Sequence, residues 1–466
     1  MRHAYVKWLY PGMRVKRWIA LGALGLGLLL LGVGIRSQTY LPGEEPPLIR
    51  AARWTTANVY LGMPPFTMGL AFSIGGALLG TFAFIRLLHS LVSALRPDMS
   101  AEELADEIYA RRRLAQGRRI VVIGGGTGLS TLLRGLKQYS SNLTAVVTVA
   151  DDGGSSGKLK RQLNILPPGD IRNCLVALAD AEPQMTELFQ YRFRNAVGPR
   201  NGAVATVPTP VAVGASGGAA GVPERVDVME SYGEGLRDHA FGNLLIAAMC
   251  AINGGDFERA VLETSRVLNV RGRVLPSTVA HVRLKAEMED GSILEGETTI
   301  AESPLKIRRV MLDPPDAPPV EDVLEAIAQA DIIVLGPGSV FTSILPNLLV
   351  QGIVDAIHRS RARKVYVCNV MTQPGETDGF TACDHVAAIE RHVDRRIFEY
   401  VLVNTGQPGP ELLEKYRKSG SVLVEPDTDR IKRAGYRPIT GNFINETDVV
   451  RHNAHRLAEA IIRLLD

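Results

Sequence analysis

The chain has 466 residues, enough for two to three domains or for one large α/β domain with appendages. Its 52 basic and 49 acidic residues nearly cancel, which excludes the strongly basic footprint of a nucleic-acid binder, so no nucleic acid is expected as a partner. Four cysteines, Cys174, Cys250, Cys368 and Cys383, form no CxxC pair, which argues for reduced thiols over a disulfide framework or a zinc site.

The N-terminal hundred residues read as membrane-active. All three tryptophans, Trp8, Trp18 and Trp54, lie there, a distribution common at membrane interfaces. Trp18–Ile35 is uncharged and, at about 18 residues, just long enough to span a bilayer. Thr55–Ile85 is a second uncharged stretch, broken by Pro64 and Pro65, leaving Phe66–Ile85 as the second expected span. A signal peptide would need a small-x-small cleavage site after the first stretch; none follows, and a second span does. Arg2, Lys7, Arg14, Lys16 and Arg17 precede the first span, and Arg86, Arg96 and Arg111–Arg113 follow the second. The loop between has Arg36, Arg50 and Arg53, offset by Glu44 and Glu45. The positive-inside rule then predicts a two-span hairpin over residues 1–96 in the cytoplasmic membrane, with both ends and the main domain in the cytoplasm. Gly76 and Gly80 form a GxxxG pair that would join two copies into a homodimer; a glycine-rich segment also produces such a pair by chance. Residues 97–119 read as a linker with one basic helix, opened by a Ser100/Glu103 capping box. Its arginines would lie near anionic head groups or on a solvated helix end.

From Ile120 the pattern changes. Ile120–Ile123 is a buried-type strand, followed by Gly124, Gly125, Gly126, Thr127 and Gly128, then a helical pattern over Ser130–Gln138. A second apolar run, Ala145–Ala150, ends in Asp151 and Asp152. Strand, glycine turn, helix, strand and acid is the wiring of a nucleotide-binding βαβ unit, whose backbone N–H groups cradle phosphate while the acid reaches a ribose. The third glycine stands at 128, one residue early for the dinucleotide fingerprint. The following GGSSGK, with Ser155 and Ser156, has three residues between its glycines and Leu159 after Lys158, so it is not a P-loop. Its Gly/Ser backbone is still placed to wrap a phosphate or sugar. Asp170, in LPPGDIRNCLVAL, is either a helix cap or a ligand or metal contact. Residues 195–237 are Gly, Ala, Pro and Val without period, the composition of a flexible surface insertion. His239 and Asn243 then lead into an apolar helix over Leu244–Ile252.

Thr278–Ala286 and Ser292–Ile300 alternate around Asp290–Gly291, a β-hairpin excursion that would cap the main sheet or form an oligomer contact, with no obvious chemistry of its own. Three further strands, Ile332–Leu335, Lys364–Asn369 and Tyr400–Val403, each end in small or polar residues: Gly336, Gly338 and Ser339; Asn369, Thr372 and Gln373; and Asn404. Ligands of open α/β sheets bind at such strand ends. The fold expected is therefore α/β: a Rossmann-like, mostly parallel sheet with helices on both faces, a β-hairpin excursion and two N-terminal transmembrane helices. No nucleophile elbow, HExxH or activated cysteine context is present, and no catalytic residue is assigned.

Taken in order, GGGTGLSTLLRGLK, TVADDGGSSGKL, LPPGDIRNCLVALA, FGNLLIAA, LGPGSVFTSILPNLLV and VCNVMTQPGET resemble the YvcK-type gluconeogenesis factors, a group allied to the 2-phospho-L-lactate transferases. The resemblance runs from Arg118 to the C-terminus and implies a nucleotide-linked ligand. In the transferase branch this would be a guanosine diphosphate-linked donor with magnesium, held by Asp151, Asp152 or Asp170. The YvcK branch, to which MTQPGET points, implies binding of a UDP-sugar such as UDP-N-acetylglucosamine. It also implies a role in cell shape, wall synthesis and gluconeogenic growth, with wall-synthesis or regulatory proteins as partners and no required cofactor. The resemblance adds Asn173, His239 and Asn243 to the site, and suggests ligand contacts at Tyr416, whose ring could stack on uracil, and Arg451, which could pair with a diphosphate. Asp238 and Ala240 stand where the resembling motif GHSFGN has Gly and Ser, and the 195–237 insertion and the membrane hairpin are additions to the compact form.

Overall fold

The computed structural model describes residues 15–37, 47–58, 64–95, 100–180, 183–193, 236–446 and 450–465. Nearly all of the expected 195–237 insertion lies outside them. The chain divides into two compact units, Met1–Arg112 and Arg113–Asp466.

In the first unit the uncharged stretches form helices Lys16–Ser37 and Pro65–Leu95, with Pro47–Asn58 between them in the chain. Their mean hydropathies, 2.2 for the first and 1.8 over Pro65–Ser90, make both long and apolar enough to cross a membrane. The second helix outruns the expected span because nothing in Arg86–Leu95 breaks a helix. The pair packs through glycine: a Cβ on Gly25 would stand 2.6 Å from Gly80 N, and one on Gly76 2.6 Å from Gly25 O. Gly76 thus packs against the chain's own first helix. Further on, Ser100 N donates to Glu103 Oε2 (2.8 Å) and Glu103 N to Ser100 Oγ (3.2 Å), completing the capping box of helix Ala101–Ala115.

The second unit is built on seven parallel strands: β1 (Ile120–Gly124), β2 (Leu143–Val147), β3 (Arg273–Pro276), then β7 (Ile332–Leu335), β8 (Arg363–Val367), β9 (Tyr400–Asn404) and β10 (Arg437–Gly441). Between β3 and β7 the chain forms β4 (Arg283–Met288), β5 (Ile293–Glu295) and β6 (Ile307–Asp313), a separate antiparallel sheet in the order β5-β4-β6. The main sheet runs β10-β9-β8-β7-β1-β2-β3, and every neighbour pair is parallel. Strands β1 and β7 are fully buried, which is why they read as continuous β-branched runs without alternation.

After β2 the chain moves outward to β3; after β6 it returns to the other side of β1. The order reverses between β1 and β7, and a crevice at their carboxyl ends is the expected place for a ligand.

Two sequence expectations are corrected here. The excursion is a three-stranded sheet, and the second half of its expected hairpin, Glu297–Ala301, is a helical turn. Gly296, at φ +97°, ends β5 and reverses the chain into that turn. The helices after the glycine turn and after His239 also begin earlier than expected, at Gly126 and Phe241, because Gly-Thr-Gly and Gly242–Asn243 in their first turns interrupt the apolar period.

Candidate functional site

A cavity of about 460 Å³ lies at the reversal point, within the usual size range of small-molecule sites. One wall is Gly125, Gly126, Thr127 and Gly128, where β1 turns into helix Gly126–Leu136. Gly126 has φ +67°, a left-handed conformation that glycine takes without strain. The first-turn N–H groups have no partner within the helix and, with its dipole, favour an anion. Facing them is Pro337–Ser339. A Cβ on Gly128 would stand 2.6 Å from Pro337 O, so the two turns nearly touch through bare backbone.

The third wall follows β8. Asn369 Oδ1 accepts from Gly338 N (3.2 Å), Asn369 Nδ2 donates to Gln373 Oε1 (3.2 Å), and Thr372 Oγ1 accepts from Val422 N (2.9 Å). The fourth wall comes from the end of the chain. Tyr416 Oη accepts from Val450 N (3.0 Å), and the ring packs with Val370, Ile444 and Val450, so the phenol is already fixed as a flat apolar face. β12 (Val450–His452), paired with β11 (Ile444–Glu446), brings exposed Arg451 and His452 to the rim. Both ring nitrogens of His452 are buried without partners among the described residues, and burial pushes its pKa down to about 4, so the ring is neutral.

Carboxyl groups form the remaining lining. Glu297, carried in by the antiparallel excursion, is pushed up to about 9 by burial and then by Asp151, Asp170 and Glu376. Burial also raises Glu376, which bonds Ser339 Oγ and accepts from Thr342 Oγ1 (3.3 Å). Asp170 lies behind Gly125 and is pushed up to about 6 by burial and then by Asp151, although Gly126 N donates to it.

Of the residues expected from sequence, Gly125, Gly126, Thr127, Gly128, Gly338, Ser339, Asn369, Thr372, Gln373, Tyr416 and Arg451 line the cavity together. Others sit behind it. Gly124 O accepts from Thr148 N (3.1 Å) and Asn347 Nδ2 (3.0 Å), and Gly336 (φ +77°) turns the chain out of β7. Asp151, raised by burial, accepts from Gly153 N (2.9 Å), while Ser156 Oγ accepts from Gly169 N (3.1 Å). Ser155, His239 and Asn243 form a separate buried network: Ser155 Oγ is 3.0 Å from His239 Nδ1 and accepts from Asn243 Nδ2 (3.0 Å). Asn173 Oδ1 accepts from Arg172 Nη2 (2.9 Å). Asp238, in the glycine place of the motif, takes φ +65°, which explains what that glycine is for.

Of the three acids named from sequence for magnesium, Asp152 has structural partners of its own. Asp152 Oδ1 accepts from Thr298 N (3.0 Å) and Thr298 Oγ1 (2.9 Å), which ties the excursion to the loop after β2 and commits Asp152 to holding the wall that carries Glu297. Among the described residues no three His, Cys, Asp or Glu side chains are arranged to hold a metal ion. Sequence reasoning missed Glu297, Glu376 and Thr342. The first lies in a stretch read as strand, and the other two lie within the motifs MTQPGET and LGPGSVFTSILPNLLV, from which only neighbouring residues were singled out.

An open parallel sheet with a glycine-lined crevice at its reversal point defines a Rossmann-like α/β protein. The profile of the family described as 2-phospho-L-lactate transferase CofD matches residues 120–444. Gluconeogenesis factors from Halalkalibacterium halodurans and Bacillus subtilis are 48% and 43% identical over 74% and 76% of this chain, and over 96% and 99% of their own lengths. A relative from Nostoc sp. is 43% identical over 98% of this chain and 92% of its own length, so its similarity includes the apolar helices. A crystal structure from Bacillus halodurans superposes with a TM-score of 0.65 at 47% identity, covering 74% of this chain and 100% of its own. The chain belongs to the CofD/YvcK family of gluconeogenesis factors and CofD-like proteins.

Proposed function

We propose that this protein is a membrane-tethered regulatory binder of a UDP-sugar, with UDP-N-acetylglucosamine as the leading ligand. The observation that carries the reading is the juxtaposition of two backbone cradles, Gly125–Gly128 and Pro337–Ser339, with a fixed aromatic face at Tyr416 and an exposed cation at Arg451. The cradles suit a diphosphate, the tyrosine a pyrimidine ring, and the arginine the charge between them. The two apolar helices would anchor the binding unit at the cytoplasmic face, and a sensor so placed suits control of wall synthesis and growth on gluconeogenic carbon. The other reading, a transferase using a guanosine diphosphate-linked donor, draws on the family profile.

Titration calorimetry on the purified full chain, with and without magnesium, tests the choice. The expected result is saturable heat with UDP-N-acetylglucosamine and no turnover. Silence toward UDP-sugars together with consumption of a guanosine-linked donor would replace this reading with the transferase.

A further inference from the structure

The first unit carries a feature that the pocket does not use. Arg17 Cζ lies 4.6 Å from the centroid of the Trp18 indole. Arg86, from the other long helix, places its Cζ 5.8 Å from the same ring and 5.4 Å from the Phe82 ring. The two rings meet edge-on with centroids 6.0 Å apart. Two guanidinium groups from different helices thus converge on one indole, with exposed Lys16 beside them.

Each cation is attracted to the ring face, yet the two repel one another. Neither long helix, Lys16–Ser37 or Pro65–Leu95, carries an acidic residue that would offset them. Directly beside the cations, Ile19, Phe82 and Ile85 are 45%, 47% and 58% exposed, an apolar surface running down the hairpin. Paired guanidinium groups above exposed hydrocarbon match the chemistry of one amphiphile, an acyl chain ending in a phosphate. The far end of the pair is built differently, with Arg36 over Phe66 at 5.0 Å.

We propose that Arg17, Trp18 and Arg86 form a clamp for the head-group phosphate of an anionic phospholipid. The clamp rests on the reading that the two apolar helices cross a membrane. It selects lipid by charge: the phosphate takes donors from both guanidinium groups, the indole holds those groups in place, and the acyl chain lies along Ile19, Phe82 and Ile85.

The test is reconstitution of the full chain into nanodiscs of phosphatidylcholine alone and of an equal mixture with phosphatidylglycerol. The lipid that stays with the protein after delipidation is then quantified by mass spectrometry. Wild type should retain phosphatidylglycerol above its bulk share, with each guanidinium contributing on the order of five-fold. R17Q/R86Q should return to the bulk ratio while keeping its helical content, and R17K/R86K should keep part of the enrichment through charge alone. Bulk composition around wild type, or equal enrichment around R17Q/R86Q, would overturn the clamp and leave the membrane reading standing. Failure of the chain to enter discs of either composition would overturn both.

Discussion

Gly128→Ala tests whether the two glycine turns form one cradle. Within a helix the substitution is favourable, by about 1 kcal/mol of propensity. Here the added methyl would stand 2.6 Å from Pro337 O and 2.9 Å from Pro337 C, where ordinary contact begins at 3.4 Å. The shortfall is 3.4 less 2.6, or 0.8 Å, and the obstacle is backbone that has no rotamer to change. Overpacking of this kind costs about 1–3 kcal/mol, so the net loss of stability should be about 0–2 kcal/mol. Melting should fall by about 0–8 °C, at roughly 2–4 °C per kcal/mol. Binding should suffer more, because the turns must part and at least one N–H···phosphate bond is lost. At about 1.5–3 kcal/mol for a charge-assisted bond, affinity for UDP-N-acetylglucosamine should drop on the order of ten- to hundred-fold by calorimetry. Gly124→Ala is the control: its Cβ would meet Gly336 Cα at 3.7 Å, an ordinary contact, so it should bind like wild type. Two variants that bind alike, or a Gly128→Ala protein with wild-type affinity, would refute the close approach as the basis of the cradle.

Buried acids give the fold an unusual pH response. The Asp170 carboxyl moves from 3.8 to about 6 on folding, so its contribution is complete below pH 3.8 and is lost as pH rises through about 6. Glu297, moved from 4.5 to about 9, extends the decline to alkaline pH. Thermal melts of wild type should therefore fall between pH 5 and 9; Asp170→Asn should flatten the lower part and Glu297→Gln the upper, and a flat wild-type profile would contradict both assignments. Asp152→Ala removes two hydrogen bonds to Thr298 and should cost about 1.5–3 kcal/mol, read as faster amide exchange across Ile293–Ala301; unchanged exchange would remove Asp152 from that role. Asp238→Gly relieves a left-handed conformation and should raise stability by about 1 kcal/mol, the exposed Lys158 pair (3.9 Å) being worth little; a lower melting temperature would show that the aspartate is needed there.

The glycine turns and strand ends were legible because their chemistry is local. A buried parallel strand must be apolar throughout, and a close approach must be glycine, so Ile120–Gly128 and Ile332–Ser339 announce themselves. Glu297 was hidden by its neighbours: Thr298, Thr299 and Ile300 favour strands, and tertiary bonds from Asp152 hold the segment as a helical turn instead. β10 was missed for a related reason. Arg437–Gly441 is only half-buried and begins Arg-Pro, the composition of an edge strand that pairs on one side only, with β9. Asp152 shows the limit from the other direction. Its place after β2 suggested a ribose contact, but only the folded chain brings Thr298 to it, 146 positions later.

The walls of the cavity also carry an order in time. Its first cradle is made at Gly125–Gly128 and its last wall at Val450–His452, while Ala454, opening helix Ala454–Ile462, packs against Gly135 of helix Gly126–Leu136. Translation passes Arg86, the second hairpin cation, about 370 residues before it reaches His452, roughly 20–70 s at ordinary elongation rates. Throughout that interval the crevice has no fourth side. Ligand can stabilise only a finished chain, so its concentration in the cell would act on the accumulation of whole molecules and not on nascent ones.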